Sequence, residues 1–343
     1  MQQSDRNSVF VTPHHTRRRR WLQLTLGAAA AIASPLHAVA LPAIWEQRIF
    51  QGFGTTLWLR AAHSDRARLN RALDDAVRRI GQIHSTMNLF DPDSAVSRLN
   101  REGLLPDPPP DLVHLLRLAM HLSARSGGAF DVTIQPVWQC WEQARRAAGL
   151  PDPANIRRAV GLVGWRGVYV SQKLITFRQA GMGITFNGIA QGYAAECARD
   201  ILDLAGVRMA LLDTGEWGTV GKPDSAPGWN LGIEHPRDAD AFLARLATDG
   251  RFIATSSDVH YRFTSDGREH HILDPKTGRS PSGTAAVVTV HSSGAVADAL
   301  TKVLFMLPTE QALTMARRWN ADALIVEKSG HWHATAGLHL LPG

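Results

Sequence analysis

The spacing of apolar residues predicts a long amphipathic helix in the first third of the chain. Over residues 66–85, apolar side chains return every three or four positions, the repeat of one helical face, at Leu69, Leu73, Val77, Ile80 and Ile83. The preceding segment, residues 50–61, is rich in threonine, leucine and tryptophan and predicts one strand. Residues 112–125 predict a second helix, which Asp111 is placed to cap and two glycines end.

The rest of the chain alternates between helical and strand-like patterns. Helices are predicted over residues 188–204, 295–307 and 310–319, with a short one after residue 151. Strands are predicted at 168–171, 173–177, 208–212, 229–234, 252–254, 260–263, 270–273 and 285–291, and two more follow the last helix. Asp266-Gly267 is typical of a hairpin turn. This mixture predicts an α+β fold with mixed or antiparallel sheets flanked by helices, and argues against a doubly wound parallel sheet.

The positive charge of the chain is concentrated at its N-terminus. The net charge of the 343 residues is +6, and residues 1–40 supply four of these charges through five arginines and one acid. Electrostatic binding of DNA or RNA needs a basic face on the folded domain. Because the rest of the chain carries a net charge of only +2, we expect no nucleic-acid partner.

Residues 1–40 have the three parts of an export signal. A run of four arginines precedes an apolar stretch at 21–33, and Ala38-Val39-Ala40 has the small residues that signal peptidase accepts. Paired arginines before a moderately hydrophobic stretch favour twin-arginine export. The stretch is shorter than the roughly 20 residues that span a bilayer. We therefore expect a signal peptide over residues 1–40, a periplasmic domain over residues 41–343, and no membrane span once the signal is removed.

The chain contains two cysteines, Cys140 and Cys197. An oxidising compartment permits one disulfide between them. Their spacing matches no CxxC redox or metal motif, and we expect two free thiols.

Candidate chemistry lies in polar and glycine-rich stretches. Residues 185–193 enter a predicted helix with Gly188 and Gly192 on either side of the turn. Free amides at a helix N-terminus, together with glycines that allow close approach, suit an anion such as a pyrophosphate. Glycine spacing alone is more often the mark of a tight helix–sheet junction. The chain has no GxGxxG or Walker motif.

Two further places carry titratable residues. His270 and His271 are adjacent in a predicted strand, where neighbouring side chains face opposite sides, so we do not expect them to bind one metal ion together. Asp298 lies near the start of an otherwise apolar helix. Its carboxylate either serves the helix dipole or is an oxygen ligand for Mg²⁺. Taken singly, the dipole is the simpler explanation.

A series of motifs follows in order along the chain after residue 40. They are Phe53-Gly54-Thr55-Thr56, Phe90-Asp91-Pro92-Asp93-Ser94 with Ser97-Arg98-Leu99-Asn100, Gly128-Ala129-Phe130-Asp131-Val132-Thr133 with Pro136, Asn187-Gly188-Ile189-Ala190-Gln191-Gly192-Tyr193-Ala194, Trp229-Asn230-Leu231-Gly232-Ile233-Glu234, Thr255-Ser256, His271-Ile272-Leu273-Asp274-Pro275-Lys276-Thr277-Gly278 and Ala297-Asp298-Ala299-Leu300. Each is weak alone. Together they resemble the ApbE family, the FAD:protein FMN transferases.

The resemblance implies a two-lobed α+β fold that holds its substrate FAD in the cleft, with Mg²⁺ at the pyrophosphate. It implies a flavin nucleotide site formed by Phe53, Phe90, Ala129, Phe130, Asp131, Asn187, Tyr193 and Ile272. The implied metal ligands are Asp298, Thr301 and the carbonyl of Ala190. A threonine hydroxyl of an acceptor flavoprotein would attack the FMN phosphorus and release AMP. Either His271 or Asp131 would accept the proton.

Three positions depart from the family pattern. Thr214-Gly215-Glu216 stands where the family usually has Gly-Gly-Asp, and Phe53 stands where it has methionine. Lys302 occupies the place, four residues after Asp298, where the family commonly has threonine. Its ammonium either pairs with Asp298, contacts the pyrophosphate, or turns away and leaves Thr301 to the metal. We expect Lys302 to weaken the dependence on Mg²⁺.

Two other functions fit the same resemblance: a carrier that binds FAD intact, and a pyrophosphatase that releases free FMN. A carrier produces no AMP, and a pyrophosphatase leaves the acceptor unmodified. Residues 187–193 and Gly215-Glu216 also resemble the ApbE-type proteins that accompany nitrous oxide reduction. That resemblance implies a membrane electron-transfer flavoprotein as the acceptor.

Overall fold

The computed structural model describes residues 43–222 and 228–341, and the predicted signal, residues 1–40, lies outside them. The helices are α1 Arg66–Met87, α2 Ala95–Glu102, α3 Pro110–Arg125, α4 Gln135–Arg146, α5 Pro153–Val160, α6 Ala190–Leu204, α7 Gly294–Phe305 and α8 Thr309–Arg318. The strands are β1 Ile44–Gly52, β2 Thr55–His63, β3 Leu104–Pro106, β4 Val168–Val170, β5 Leu174–Phe177, β6 Met209–Asp213, β7 Trp217–Val220, β8 Asn230–His235, β9 Asp238–Ala247, β10 Phe252–Ser257, β11 Thr284–His291, β12 Asp322–Glu327, β13 Trp332–Ala334 and β14 Leu340–Leu341.

Three antiparallel sheets organise these strands. The largest has eight strands in the order β1-β2-β6-β7-β10-β11-β12-β13. Two three-stranded sheets have the orders β14-β9-β8 and β3-β5-β4. Antiparallel sheets with helices outside them confirm the predicted α+β class.

The large sheet separates two apolar cores. Along β6, Ala210 and Leu212 belong to the core shared with α1, α3, α6 and α7, whereas Leu211 belongs to the core shared with β8 and β9. This alternation is what the two-residue period of a strand produces. The helices therefore cover one face of the sheet, and the small β14-β9-β8 sheet covers the other.

Helix α7 lies at the centre of the helical layer. Ser293 caps its N-terminus by accepting a hydrogen bond from the Val296 amide. Of its twelve residues, every one except Lys302 is buried. It packs against α6, β10 and β11. The crossing with α6 is close because Gly192 and Gly294 face each other at the contact, and a Cβ on either would overlap the backbone of the other.

Several predicted elements differ in the structure. Residues 50–61 form parts of two strands, because Phe53 and Gly54 adopt positive φ angles of 50° and 74° and turn the chain into the β1–β2 hairpin. Residues 260–263 and 270–273 form no strands and share a single bridge, Arg262 to His270. Strands β3, β7 and β9 and helices α2 and α4 were not predicted, and three strands instead of the predicted two follow α8.

Asp111 does not cap α3 as predicted. Pro109 is the N-cap and provides no side-chain hydrogen bond, while the Asp111 carboxylate forms a bidentate ion pair with Arg79 and accepts a hydrogen bond from the Tyr193 hydroxyl. A charged partner on α1 therefore outcompetes the local capping bond. The prediction of two free thiols is confirmed, since Cys140 and Cys197 are both free and partly buried. Within the described residues, no helix has both the length and the apolar character that crossing a bilayer requires.

We expect Gly192→Ala to lower the free energy of unfolding by about 1–3 kcal/mol, because the added methyl group would force α6 away from the backbone of α7. Urea denaturation measures this change. Gly81→Ala is the matched control: Gly81 lies on the exposed side of α1 with no atom within 4 Å of an added Cβ, and the change there should stabilise the helix by up to about 1 kcal/mol. Equal stabilities of the two variants would contradict the close crossing.

Candidate active site

A cavity of about 120 Å³, open to solvent, lies where three loops meet the end of α7. The segment before α4 contributes one wall, the segment before α6 a second, and the long loop between β10 and β11 a third. Its lining is Ala129, Phe130, Asp131, Ile134, Trp138, Thr185, Asn187, Gly188, His271, Ile272, Leu273, Pro275, Lys302 and Met306. A smaller depression beside β9 includes none of the predicted site residues.

Most residues that the resemblance assigned to the flavin site meet at this cavity. Ala129, Phe130, Asp131, Asn187 and Ile272 all line it, as does the predicted proton acceptor His271. These residues come from three separate parts of the sequence. The cavity lining is mainly apolar, as the linings of small-molecule sites usually are.

Three residues predicted for the flavin site lie outside the cavity lining. Phe53 packs edge-on against His84, whose Nδ1 accepts a hydrogen bond from the Phe53 amide at 3.1 Å. Phe90 lies on a loop and is 77% exposed. Tyr193 is buried between helices, where its hydroxyl donates to Asp111 at 2.8 Å and its ring stacks on His114. Burial is the main cause that raises the pKa of Tyr193.

Asp131 holds the loop that follows α5. Its Oδ1 accepts hydrogen bonds from the Thr133 amide at 2.9 Å and hydroxyl at 2.7 Å, and its Oδ2 accepts one from the Trp165 amide at 3.1 Å. Burial raises the pKa of the Asp131 carboxyl, although these three hydrogen bonds oppose the shift. Both oxygens of this carboxylate thus have structural partners.

The two adjacent histidines face different environments, but the histidine that does not line the cavity is buried instead of facing solvent, and the segment is a loop instead of a strand. His270 is fully buried against Phe305, and burial lowers its pKa to about 4. His271 is partly exposed and lines the cavity. Its Nδ1 lies 3.3 Å from the carbonyl oxygen of Tyr261. Because a carbonyl only accepts, this contact favours the neutral tautomer that carries its proton on Nδ1.

Two of the three predicted metal ligands, Asp298 and Thr301, have hydrogen-bond partners within the protein. Asp298 has a side chain 1% exposed; its Oδ1 lies 2.5 Å from Lys302 Nζ and its Oδ2 accepts the Gly192 amide at 3.2 Å. The buried Thr301 hydroxyl contacts Ser256 Oγ at 2.7 Å and donates to the Asp298 carbonyl at 2.6 Å. Ala190, the third predicted ligand, is buried at the start of α6. No cluster of three or more His, Cys, Asp or Glu residues suited to a metal occurs among the described residues.

Thr214-Gly215-Glu216, which replaces the usual Gly-Gly-Asp of the family, contacts the start of α6 through Gln191. Gln191 Nε2 donates to the Thr214 carbonyl at 3.0 Å, and the Thr214 hydroxyl donates to the Gln191 carbonyl at 2.9 Å. A Cβ on Gly215, whose φ is 92°, would overlap the Gln191 side chain. Glu216 is buried and accepts the Thr255 amide at 2.9 Å. These contacts fix the position of the α6 N-terminus.

Sequence reasoning missed the apolar wall of the cavity. The residues it did not select are Ile134, Trp138, Thr185, Leu273, Pro275 and Met306. Thr185, Leu273 and Pro275 lie inside or next to motifs that were recognised, so motif position could have indicated them. Trp138 and Met306 lie in helical patterns that are also typical of core residues, and nothing in their spacing distinguishes a cavity wall from a core.

Comparisons with known proteins identify the family of this chain. The profile of the ApbE family matches residues 53–325. The FAD:protein FMN transferase of Klebsiella pneumoniae (strain 342) is 30% identical over 221 residues, 63% of this chain and 68% of that protein. The flavinyl transferase ApbE of Pseudomonas stutzeri, in its apo form, is 28% identical with a TM-score of 0.75, covering 86% of this chain and 95% of that one. Because the family profile spans well over half of its length, the chain belongs to the ApbE family.

Proposed function

We propose that the protein is an FAD:protein FMN transferase, which attaches FMN from FAD to a threonine of an acceptor flavoprotein through a phosphoester bond and releases AMP. The observation that carries this proposal is a single cavity that joins an apolar wall to a histidine and a lysine on its rim. Named relatives of this chain support the same activity, including the FAD:protein FMN transferases of Klebsiella pneumoniae and Treponema pallidum (strain Nichols).

The cavity suits two parts of the substrate, the flavin ring and the pyrophosphate. Trp138, Leu273 and Met306 offer the apolar and aromatic surface that a flat flavin ring buries well. Helix α6 has no side-chain cap at its N-terminus, and Lys302 Cε lies against Gly188 just before it. Helix amides and a neighbouring ammonium together attract a pyrophosphate.

The reaction needs one proton acceptor and one stabilised leaving group. The threonine oxygen forms a bond to the FMN phosphorus, the pyrophosphate P–O bond breaks, and AMP leaves with the electron pair. We assign the proton of the threonine hydroxyl to His271 Nε2, since the contact with the Tyr261 carbonyl favours the tautomer in which that nitrogen is the basic one. We assign Asp131 a supporting role, because both its oxygens already accept hydrogen bonds from the loop.

The predicted metal ligands do not fit Mg²⁺ in this arrangement, since both oxygens of Asp298 have partners and Thr301 is bonded to Ser256. Mg²⁺ requires near-octahedral oxygen ligands. The Lys302 ammonium supplies a positive charge at the same place, against the loop that leads into α6. We therefore propose that Lys302 provides charge that a metal ion would otherwise supply, and that the activity depends weakly on Mg²⁺.

Our proposals for the location of the protein and for its acceptor are supported by sequence features alone. We propose export by the twin-arginine route and a periplasmic site of action, supported by the arginine run and the Ala38-Val39-Ala40 triplet. We propose a membrane electron-transfer flavoprotein as the acceptor. The support for this acceptor is the resemblance of residues 187–193 and Gly215-Glu216 to ApbE-type proteins that accompany nitrous oxide reduction.

The activity is tested by incubating the protein with FAD and a threonine-bearing acceptor peptide and weighing the peptide by mass spectrometry. We expect a mass gain of one FMN residue together with released AMP. His271→Asn should reduce the rate by about 10²–10⁴-fold, the usual contribution of a general base, while FAD still binds. His339→Gln is the matched control, since His339 is exposed in the C-terminal segment. FAD that stays intact would indicate a carrier, and free FMN with an unmodified peptide a pyrophosphatase.

The role of Lys302 is tested by removing metal. We expect the protein to retain most of its FMN transfer in excess chelator. Lys302→Thr, which places threonine four residues after Asp298, should make transfer depend on added Mg²⁺ by about 10²-fold, since charge stabilisation by a metal amounts to several kcal/mol. Lys302→Met should be slow with or without Mg²⁺. Lys173→Thr, in an exposed turn, is the control. Complete loss of wild-type activity in chelator, restored only by Mg²⁺, would refute this role of Lys302.

A further inference from the structure

The segment between β10 and β11 carries a whole wall of the cavity without regular secondary structure. Residues 258–283 include His271, Ile272, Leu273 and Pro275, yet contain only one isolated bridge. A strand would position its side chains through the hydrogen bonds of the sheet. In this loop the support of the backbone is limited to one bridge, in which the Phe263 amide donates to the Glu269 carbonyl and the His271 amide donates to the Tyr261 carbonyl, so the placement of His271 depends largely on the contacts of Tyr261.

Tyr261 contacts His271 through its backbone. Its carbonyl oxygen accepts the His271 amide at 3.0 Å and lies 3.3 Å from His271 Nδ1. One carbonyl thus holds both the backbone and the ring of the histidine. Any shift of the Tyr261 backbone would move the ring and weaken the preference for a proton on Nδ1.

The side chain of Tyr261 is in turn held by helix α4. Its hydroxyl donates to Glu142 Oε2 at 2.6 Å, and its ring packs against Trp138 and Phe263 at centroid distances of 6.3 and 5.7 Å. Phe263 stacks on Trp141, whose Nε1 donates to the carbonyl of Gly278 at 2.7 Å. Helix α4 therefore contacts the loop both before His271, at Tyr261 and Phe263, and after it, at Gly278.

Both carboxylate oxygens of Glu142 accept hydrogen bonds. Its side chain is only 7% exposed, yet it accepts two hydrogen bonds from Arg145 and one from Arg146, all at 2.8 Å, besides that of Tyr261. These partners, chiefly Arg145, lower the pKa of Glu142 to about 2. Burial, with Glu142 as a further cause, raises the pKa of the Tyr261 hydroxyl. Near neutral pH a carboxylate therefore faces a protonated phenol, and a charge-assisted hydrogen bond of this kind is strong.

We propose that Glu142 and Tyr261 are positioning residues for FMN transfer, which act by holding His271 with its proton on Nδ1 and its Nε2 toward the substrate. The proposal rests on the proposed function, in which His271 accepts the threonine proton. It concerns residues of α4 and of the loop that do not themselves touch the reacting atoms. Trp138 connects these positioning residues to the cavity, since it packs on Tyr261 and also lines the cavity.

Tyr261→Phe removes the hydroxyl and keeps the ring that supports Trp138. Near neutral pH, we expect kcat for FMN transfer to fall by at least about tenfold, as expected when a catalytic group is misplaced, while KM for FAD changes by less than about twofold. Tyr169→Phe is the matched control, because Tyr169 is 60% exposed on β4. Glu142→Gln retains an oxygen for the Tyr261 hydroxyl but loses the charge, and should give an intermediate kcat.

NMR of the protein labelled with ¹⁵N-histidine reports the tautomer of His271. This tautomer would not change if Tyr261 and Glu142 only stabilised the fold. The His271 ring nitrogens, assigned by comparison with His271→Asn, should show the Nδ1-protonated tautomer in the wild type and in Tyr169→Phe. Tyr261→Phe should show a mixture of tautomers. If Tyr261→Phe does not fold, Glu142→Gln serves for the same measurement. An unchanged tautomer in these variants would overturn the proposal. A changed tautomer with unchanged kcat would uphold the positioning contact and refute His271 as the base.

Discussion

Helices α6 and α7 cross at the facing glycines Gly192 and Gly294, and the geometry of the cavity depends on that crossing. The close approach lets the Gly192 amide reach Asp298 Oδ2, and it places Lys302 against Gly188 at the entrance to α6. A side chain larger than hydrogen at this point would separate the helices and carry the lysine away from the loop. The glycines thus serve as a helix contact and as part of the site.

Several carboxylates of the helical layer are paired with basic side chains, which offsets part of their desolvation cost, whereas the buried Asp131 carboxylate is held by hydrogen bonds alone. Asp298 pairs with Lys302 below the cavity, Glu142 with Arg145 and Arg146 beside it, and Asp111 with Arg79 behind it. In each pair the carboxylate also accepts a hydrogen bond from a third residue. Asp298 accepts one from the Gly192 amide, Glu142 one from the Tyr261 hydroxyl, and Asp111 one from the Tyr193 hydroxyl. The ion pairs therefore connect helices to the segments that carry the site, which gives them a geometric role in addition to any contribution to stability.

Part of the site was predictable because it lies in contiguous motifs. Ala129, Phe130, Asp131, Asn187 and His271 belong to motifs that are visible in the linear chain, and all line one cavity. Trp138, Met306 and the Glu142–Tyr261 contact were not predictable in this way, since residues 119 positions apart meet only after the loop packs on α4. Phe90 and Tyr193 belong to recognised motifs but lie outside the lining, one exposed and the other in the helix interface. A motif indicates that a residue matters without indicating which neighbour it serves.

The sequence by itself determined the α+β class, the amphipathic helices and the family, because periodicity and ordered motifs are properties of the linear chain. It did not determine the hairpin at Phe53-Gly54, the loop in place of two strands at residues 260–273, or the partners of Asp111 and Lys302. Those outcomes depend on competition between local bonds and distant partners. Asp111 forms an ion pair with Arg79 instead of capping its helix, and Lys302 forms an ion pair with Asp298. Only the packed structure brings such competitors together, and so only the tertiary structure decided them.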